Sequence, residues 1–138
     1  MIPASTSTFG LDRQALLERF WRIRARTGKL FDTIRDEAYY TRPIALRNPV
    51  VFYEGHLPVF AVNTLLKKAL GRPGIDEQLE TIFARGIDPE TEAAAVARGN
   101  PAWPDRAAVR AYASEADRRI AAALRHATLV RHDHPLLR

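Results

Sequence analysis

The sequence predicts an all-α protein: a helical bundle of the four-helix up-and-down type that is incomplete and lacks its last helix. Apolar residues recur at steps of three and four over long segments. Aspartates that can act as caps precede three of the predicted helices, and Gly or Pro follows all but the last. The alternation typical of strands is not found in the sequence. With 138 residues, 46% of them hydrophobic, the chain fits one domain with a substantial core.

The first helix is predicted to run from Leu11 to about Tyr40, after a flexible lead-in at residues 1–10. The helical domain is therefore assigned to residues 11–138. A helix of this size would be about 40 Å long, and Arg42-Pro43 would end it because the residue before proline avoids the α region. Its predicted inward face consists of Leu16, Phe20, Ile23, Thr27, Leu30, Ile34 and Ala38.

A second helix is predicted to begin after Pro49 and to run to about Leu70. Because it is more apolar than the first, it is expected to be central in the bundle. Pro58 has no N–H for the carbonyl of Glu54, so we expect a broken turn around His56 whose freed carbonyl orients the imidazole. Gly71-Arg72-Pro73-Gly74 is a clear stop. One helical face carries Phe52, His56, Phe60 and Asn63.

The remaining helices are predicted from three aspartates placed as N-terminal caps. They are Asp76 before residues 77–85, Asp88 before a helix that opens with Pro89 and closes at Gly99, and Asp105 before a long helix to about Ala127. The chain ends where a fourth long helix would be expected to begin. The predicted buried face of the last helix reads Val109, Tyr112, Ala116, Ile120, Ala123 and Ala127.

Composition limits the classes of function. There is no cysteine, so any metal must be held by His, Asp or Glu. The N-terminus is not a secretory signal, and no stretch is long and apolar enough to span a bilayer, so we expect a cytoplasmic protein that does not enter membranes. The net charge of +5 permits nucleic-acid binding, but acids are interspersed throughout. One basic helical face, which we interpret as solvated rather than phosphate-binding, carries Arg19, Arg22, Arg26 and Lys29.

His56 is the main candidate for chemistry, and two interpretations stay open. It is either a core histidine satisfied by a backbone carbonyl or a metal ligand, because neutral imidazole is a common ligand for iron and zinc. One histidine does not make a site, since iron needs about three protein ligands. The weaker candidates are His126 and the His132-Asp133-His134 segment, which suits a surface loop better than a metal site. Glu54 lies close to His56 and could act as a general acid or base. Asp36 and Glu37 suit a solvated face or a salt bridge to a nearby arginine better than acid–base catalysis.

Several motifs together resemble a known family. They are Arg42-Pro43-Ile44, residues 48–56, Asn63-Thr64-Leu65, Ile75-Asp76 and residues 83–89. This order, which covers about residues 12–138, is similar to the N-terminal DinB-like domain of the sulfoxide synthases, the non-haem iron enzymes that make ergothioneine, ovothiol and selenoneine. Within this family, the sequence of residues 71–76 more closely resembles the selenoneine branch.

The resemblance implies a DinB-like bundle that holds Fe(II) and uses oxygen to join sulfur or selenium to the imidazole ring of a histidine betaine. His56 would be the first of three iron ligands. The other two come in the family from a His-x-x-x-His pair, which has no counterpart in this sequence, and a second domain of the formylglycine-generating-enzyme type covers the metal. We therefore expect the chain alone to be inactive.

We expect it to depend on the missing C-terminal part or on a second chain, or to self-associate through the apolar face around Phe52, His56 and Phe60. Two alternatives remain: a non-catalytic DinB-like interaction module, and a basic nucleic-acid-binding bundle.

Overall fold

The computed structural model describes residues 12–84, 91–98 and 101–127, and all regular structure in these ranges is helical. This confirms the all-α prediction. The elements are α1 (Arg13–Asp32), a short 3-10 turn (Asp36–Ala38), α2 (Val50–Ala61), a π-helix (Val62–Ala69), α3 (Glu77–Ile82), α4 (Glu92–Arg98) and α5 (Arg106–His126). Across the same ranges, no helix combines the length and apolar character that crossing a bilayer demands. The division into a lead-in and a domain from residue 11 stays a prediction.

α1 and α5 are antiparallel, and the first residue of each helix holds the end of the other. Arg106 donates hydrogen bonds to the carbonyl oxygens of Phe31 at 2.6 Å and Ile34 at 2.8 Å. Arg13 donates to the carbonyl of Leu124 at 2.8 Å. Carbonyls at a helix C-terminus lack partners within the helix and carry the negative end of its dipole, so a guanidinium is well suited to them. The two arginines thereby align both ends of the helix pair.

Arg106→Ala is expected to lower the free energy of unfolding by about 2–3 kcal/mol, because hydrogen bonds from a charged donor are lost and carbonyls are left open. Lysine should restore only part of this, since it lacks the planar fork and the stacking of Arg106, whose guanidinium lies 4.6 Å above the Tyr39 ring. Urea unfolding measures both variants. Arg22→Ala, on the exposed face of α1, should stay within about 0.5 kcal/mol of wild type. Equal unfolding midpoints for Arg106→Ala and Arg22→Ala would contradict the stabilising role given to Arg106 at the end of α1.

α1 is shorter than predicted. It ends at Asp32 and not near Tyr40, so its length is about 30 Å. The hydroxyl and N–H of Thr33 both donate to the carbonyl of Leu30, which tightens the last turn. Arg106 donates to the carbonyl of Ile34 just beyond the helix and so ties this turn to α5.

The predicted inward face of α1 was also wrong in part. Ile23 is 50% exposed and Leu30 is 62% exposed, whereas Leu17 is buried. Two of the positions that face the bundle, 13 and 24, are arginines. A prediction based on apolar residues cannot find them. Arg24 pairs there with Asp117 of α5, with 3.2 Å between its Nε and a carboxylate oxygen. The stripe of buried and half-buried residues includes Arg13, Leu17, Phe20, Arg24, Thr27 and Phe31.

The second helical segment has the predicted bounds but not the predicted distortion. α2 runs without a break through Pro58, and the irregular part is the π-helix that follows at Val62–Ala69. The N–H of Leu70 donates to the carbonyl of Leu65, five residues earlier, as the wider helix requires. Gly71, at φ 62°, then ends the segment as predicted.

Two of the predicted caps are confirmed. Asp76 accepts from the N–H of Leu79 at 3.0 Å, and Asp105 accepts from the N–H of Ala108 at 2.7 Å. α3 ends at Ile82, three residues before the predicted end. The predicted cap at Asp88, Pro89 and the stop at Gly99 lie outside the described residues, and α4 begins at Glu92 with Thr91 accepting from the N–H of Ala94.

The core lies mainly between α2 and α5, and α3 contributes Phe83 at its end. All six residues predicted for the inward face of α5 are buried. This helix carries the most regular apolar spacing in the chain, so its face follows directly from the 3.6-residue period. The most deeply buried apolar side chains include Tyr39, Val51, Val59, Val62, Leu66, Phe83, Val109 and Ala116.

Candidate functional site

His56 lies in the middle of α2 and is half-buried. Its Nδ1 is 2.7 Å from the carbonyl oxygen of Phe83. Because a carbonyl only accepts, Nδ1 carries the proton, and in the neutral ring Nε2 then holds an unprotonated lone pair. A hydrogen bond of this kind is the usual outer support of a metal-binding histidine. The carbonyl of Glu54 was predicted to orient the imidazole. In the structure the carbonyl of Phe83 does so.

Aromatic rings fix the plane of the imidazole. The ring of Phe52 is stacked on His56, with the centroids 5.2 Å apart and 23° between the planes. Phe60 lies one turn further along α2, at 5.8 Å. Trp103 stacks on Phe83, also at 5.8 Å, which holds the chain that supplies the carbonyl. His56 thus has a defined orientation before any ligand binds.

Gly55 permits this arrangement. A methyl group added at Gly55 would overlap the ring of Phe83. Glycine costs about 0.5–1 kcal/mol relative to alanine inside a helix, so a close contact is a physical reason for its presence here. Sequence reasoning missed Gly55, although a lone glycine beside His56 in an apolar helix was the available signal.

Glu80 connects α3 to the neighbouring helices through hydrogen bonds and an ion pair. Its carboxylate accepts from the N–H groups of Ile75 at 2.8 Å and Asp76 at 2.6 Å, and from the Tyr112 hydroxyl at 3.2 Å. Lys67 of the π-helix pairs with the other oxygen at 3.3 Å. Burial by itself raises the pKa of Glu80, but these donors outweigh it and hold the pKa below its ordinary value. Glu80 therefore ties α3 to the π-helix and α5, and sequence reasoning did not identify it.

The other predicted candidates do not join His56. Glu54 points to Arg110 of α5, with 3.4 Å between Oε1 and Nε. Asp36 accepts from Arg106 at 2.9 Å, which confirms the salt-bridge interpretation of that carboxylate. Glu37 and His126 are exposed. The segment His132-Asp133-His134 lies outside the described residues.

The basic face of α1 is exposed. Each of its four side chains is exposed, namely Arg19, Arg22, Arg26 and Lys29. Exposure is expected both of a solvated face and of a phosphate-binding face, so the interpretation stays a prediction.

In the part of the chain that the structure describes, no three His, Cys, Asp or Glu side chains converge in a way that could hold a metal ion. His56 fits an iron ligand by its tautomer and its support. The described residues do not complete an iron site around it.

The fold defines a protein of the all-helical bundle class. A family model, the DinB superfamily, matches residues 19–138, and the chain belongs to that superfamily. The chain is also similar to "Ergothioneine biosynthesis protein 1" of Neurospora crassa, with 35% identity over 69 residues. The aligned stretch is 50% of this chain and 8% of the length of that protein.

Proposed function

We propose that the chain is the N-terminal part of a non-haem iron(II), oxygen-dependent enzyme that joins sulfur or selenium to the imidazole ring of a histidine betaine. The reaction would belong to the biosynthesis of ergothioneine or selenoneine. Membership of the DinB superfamily and the similarity to a fungal ergothioneine biosynthesis protein support this. The observation that carries it is the bond from His56 Nδ1 to the Phe83 carbonyl, which leaves Nε2 free to bind a metal.

In this proposal His56 is one iron ligand, and the rest of the enzyme or a second chain supplies the others. A single imidazole cannot hold Fe(II) in a defined geometry, and an uncovered site cannot exclude water. The chain by itself is therefore inactive in C–S or C–Se bond formation.

The surface beside His56 supports a partner at this place. Phe60, whose ring is next to the imidazole, is 59% exposed, and Leu57 on the same helix is also exposed. The expected exposure of Phe52 was wrong, because that side chain is buried. The C-terminal part of the enzyme, a second chain or another copy would cover Phe60 and close the site.

The test uses the native protein from the cells that produce it. Its intact mass should be several times 15.5 kDa, the mass of this chain. In that enzyme, His56→Ala should remove bound iron and lower turnover by more than about 100-fold, since even outer-shell changes cost 10–100-fold. His126→Ala, on the exposed end of α5, is the matched control and should change neither. Full iron content and turnover in His56→Ala would refute the proposal.

A non-catalytic interaction module is the second candidate. The hydrogen bond to Phe83 already satisfies Nδ1, so a structural role for His56 is chemically sufficient. This candidate predicts that His56→Ala costs only packing energy and leaves metal content unchanged. A nucleic-acid-binding bundle ranks third and rests on the exposed basic face of α1 alone. It predicts affinity that falls steeply with salt.

A further inference from the structure

Trp103 contacts both residues that hold the imidazole of His56. It lies in the segment between α4 and α5 and is half-buried. Its indole stacks on the Phe83 ring, with the centroids 5.8 Å apart, and is T-shaped against the Phe52 ring at 6.2 Å. Phe52 in turn stacks on the imidazole, and the carbonyl of Phe83 accepts a hydrogen bond from Nδ1. Trp103 thus connects the two supports of the imidazole, one in α2 and one at the end of α3.

The position of the Phe83 carbonyl depends on tertiary contacts. α3 has only six residues, and a helix of this length is not stable by itself in water. The hydrogen bonds of Glu80 to Ile75 and Asp76 fix the start of α3, whereas Phe83 caps its other end. The Phe83 side chain is 1% exposed and packs on the indole. A displacement of this ring would therefore move the carbonyl that accepts from His56.

The segment that carries Trp103 is itself held in place. Trp103 precedes Pro104, and the residue before a proline is restricted to extended backbone. The carbonyl of Pro104 accepts from the Tyr40 hydroxyl at 3.0 Å. Asp105 then caps α5, and Arg106 binds the end of α1. The indole is therefore attached to backbone that has little freedom to move, which suits it to support the two phenylalanine rings.

We propose that Trp103 is a positioning residue: by fixing the Phe52 ring and the Phe83 carbonyl together, it keeps His56 in the Nδ1–H tautomer, with the lone pair on Nε2. In the other tautomer, two acceptors would face each other across the 2.7 Å between Nδ1 and the carbonyl oxygen. Once the carbonyl moves away, this restraint is lost and both tautomers of the neutral ring become populated. The role of Trp103 in holding the tautomer does not depend on the proposed function, and only its consequence for iron binding rests on that function.

The tautomer is measured by ¹⁵N NMR of the histidine-labelled chain, at a pH where the ring is neutral. We expect the Nδ1–H tautomer alone for His56 in the wild type and a mixture of both tautomers in Trp103→Ala. Trp103→Phe keeps an aromatic ring at this position and should keep the Nδ1–H tautomer dominant. Trp21→Ala, which removes the exposed tryptophan of α1, is the matched control and should leave the tautomer unchanged.

A second variant separates positioning from general stability. Val109→Ala removes buried apolar volume from α5 and should destabilise the chain, yet the folded variant should keep the Nδ1–H tautomer of His56. Trp103→Leu keeps an apolar side chain without a flat ring, and it replaces Trp103→Ala if that variant does not fold. A wild-type tautomer in the folded Trp103 variant, or an equal loss of the tautomer in Val109→Ala, would overturn the proposal.

The consequence for iron is measured in the complete enzyme. Trp103→Ala should bind Fe(II) about 10–100-fold more weakly, the usual effect of losing the outer support of a metal-binding histidine, and Trp103→Phe should stay close to wild type. Unchanged affinity in Trp103→Ala, in an enzyme whose iron is lost in His56→Ala, would contradict the role of Trp103 in iron binding. If His56→Ala keeps its iron, the proposed function fails, whereas the tautomer measurement still decides whether Trp103 positions His56.

Discussion

Glu80→Ala is expected to lower the free energy of unfolding by about 3–5 kcal/mol, because each donor left without its acceptor costs about 1–3 kcal/mol. Glu80 is 3% exposed, and its loss leaves the N–H groups of Ile75 and Asp76 and the Tyr112 hydroxyl without their acceptor. Urea unfolding followed by circular dichroism measures the effect. Gln78→Ala, exposed on the same short helix, should stay within about 0.5 kcal/mol of wild type.

The contribution of Glu80 also depends on pH with a defined sign. Its pKa in the folded chain lies below its ordinary value. The stabilisation is therefore present above the ordinary glutamate pKa and is lost as pH falls through the folded pKa. The stability difference between wild type and Glu80→Gln should shrink as the solution is acidified. A difference that is constant from neutral pH to the acid range would show that Glu80 is not held as a carboxylate.

Gly55→Ala is expected to destabilise the fold by about 1–3 kcal/mol or more, because overpacking a well-filled contact forces side chains and backbone to shift. The added methyl group would overlap the ring of Phe83, which is buried and packed under Trp103, so the ring has little room to move. The shift would also carry the Phe83 carbonyl away from His56. ¹⁵N NMR of the imidazole should then show a loss of the Nδ1–H tautomer.

Gly28→Ala is the matched control within α1. Nothing lies within 4 Å of a methyl group at Gly28, so the better helix propensity of alanine should stabilise the chain by about 0.5–1 kcal/mol. The same substitution thus has opposite expected signs at two helical glycines. If Gly55→Ala proves as harmless as Gly28→Ala, close packing of α2 on Phe83 does not position His56.

Much of the fold could be predicted from the sequence because it depends on interactions between residues that are close along the chain. The bounds of the second helical segment follow from Pro49 and Gly71, and the inward face of α5 follows from its regular apolar spacing. Asp76 and Asp105 act as caps through hydrogen bonds three residues along the chain. Such interactions involve neighbours in sequence, so residue type and spacing are enough to predict them.

The sequence by itself also singled out His56, but only the tertiary structure decided what the residues around it do. The imidazole is held by a carbonyl 27 residues away, and Glu54, two residues away, turns towards α5. The end of α1 is held by Arg106, which donates to carbonyls up to 75 residues away. Contacts over such separations depend on how the helices pack, and a polar residue such as Arg24 can face the bundle once Asp117 is opposite it. The spacing of apolar residues cannot predict these long-range contacts, because it indicates only the average polarity of a helical face.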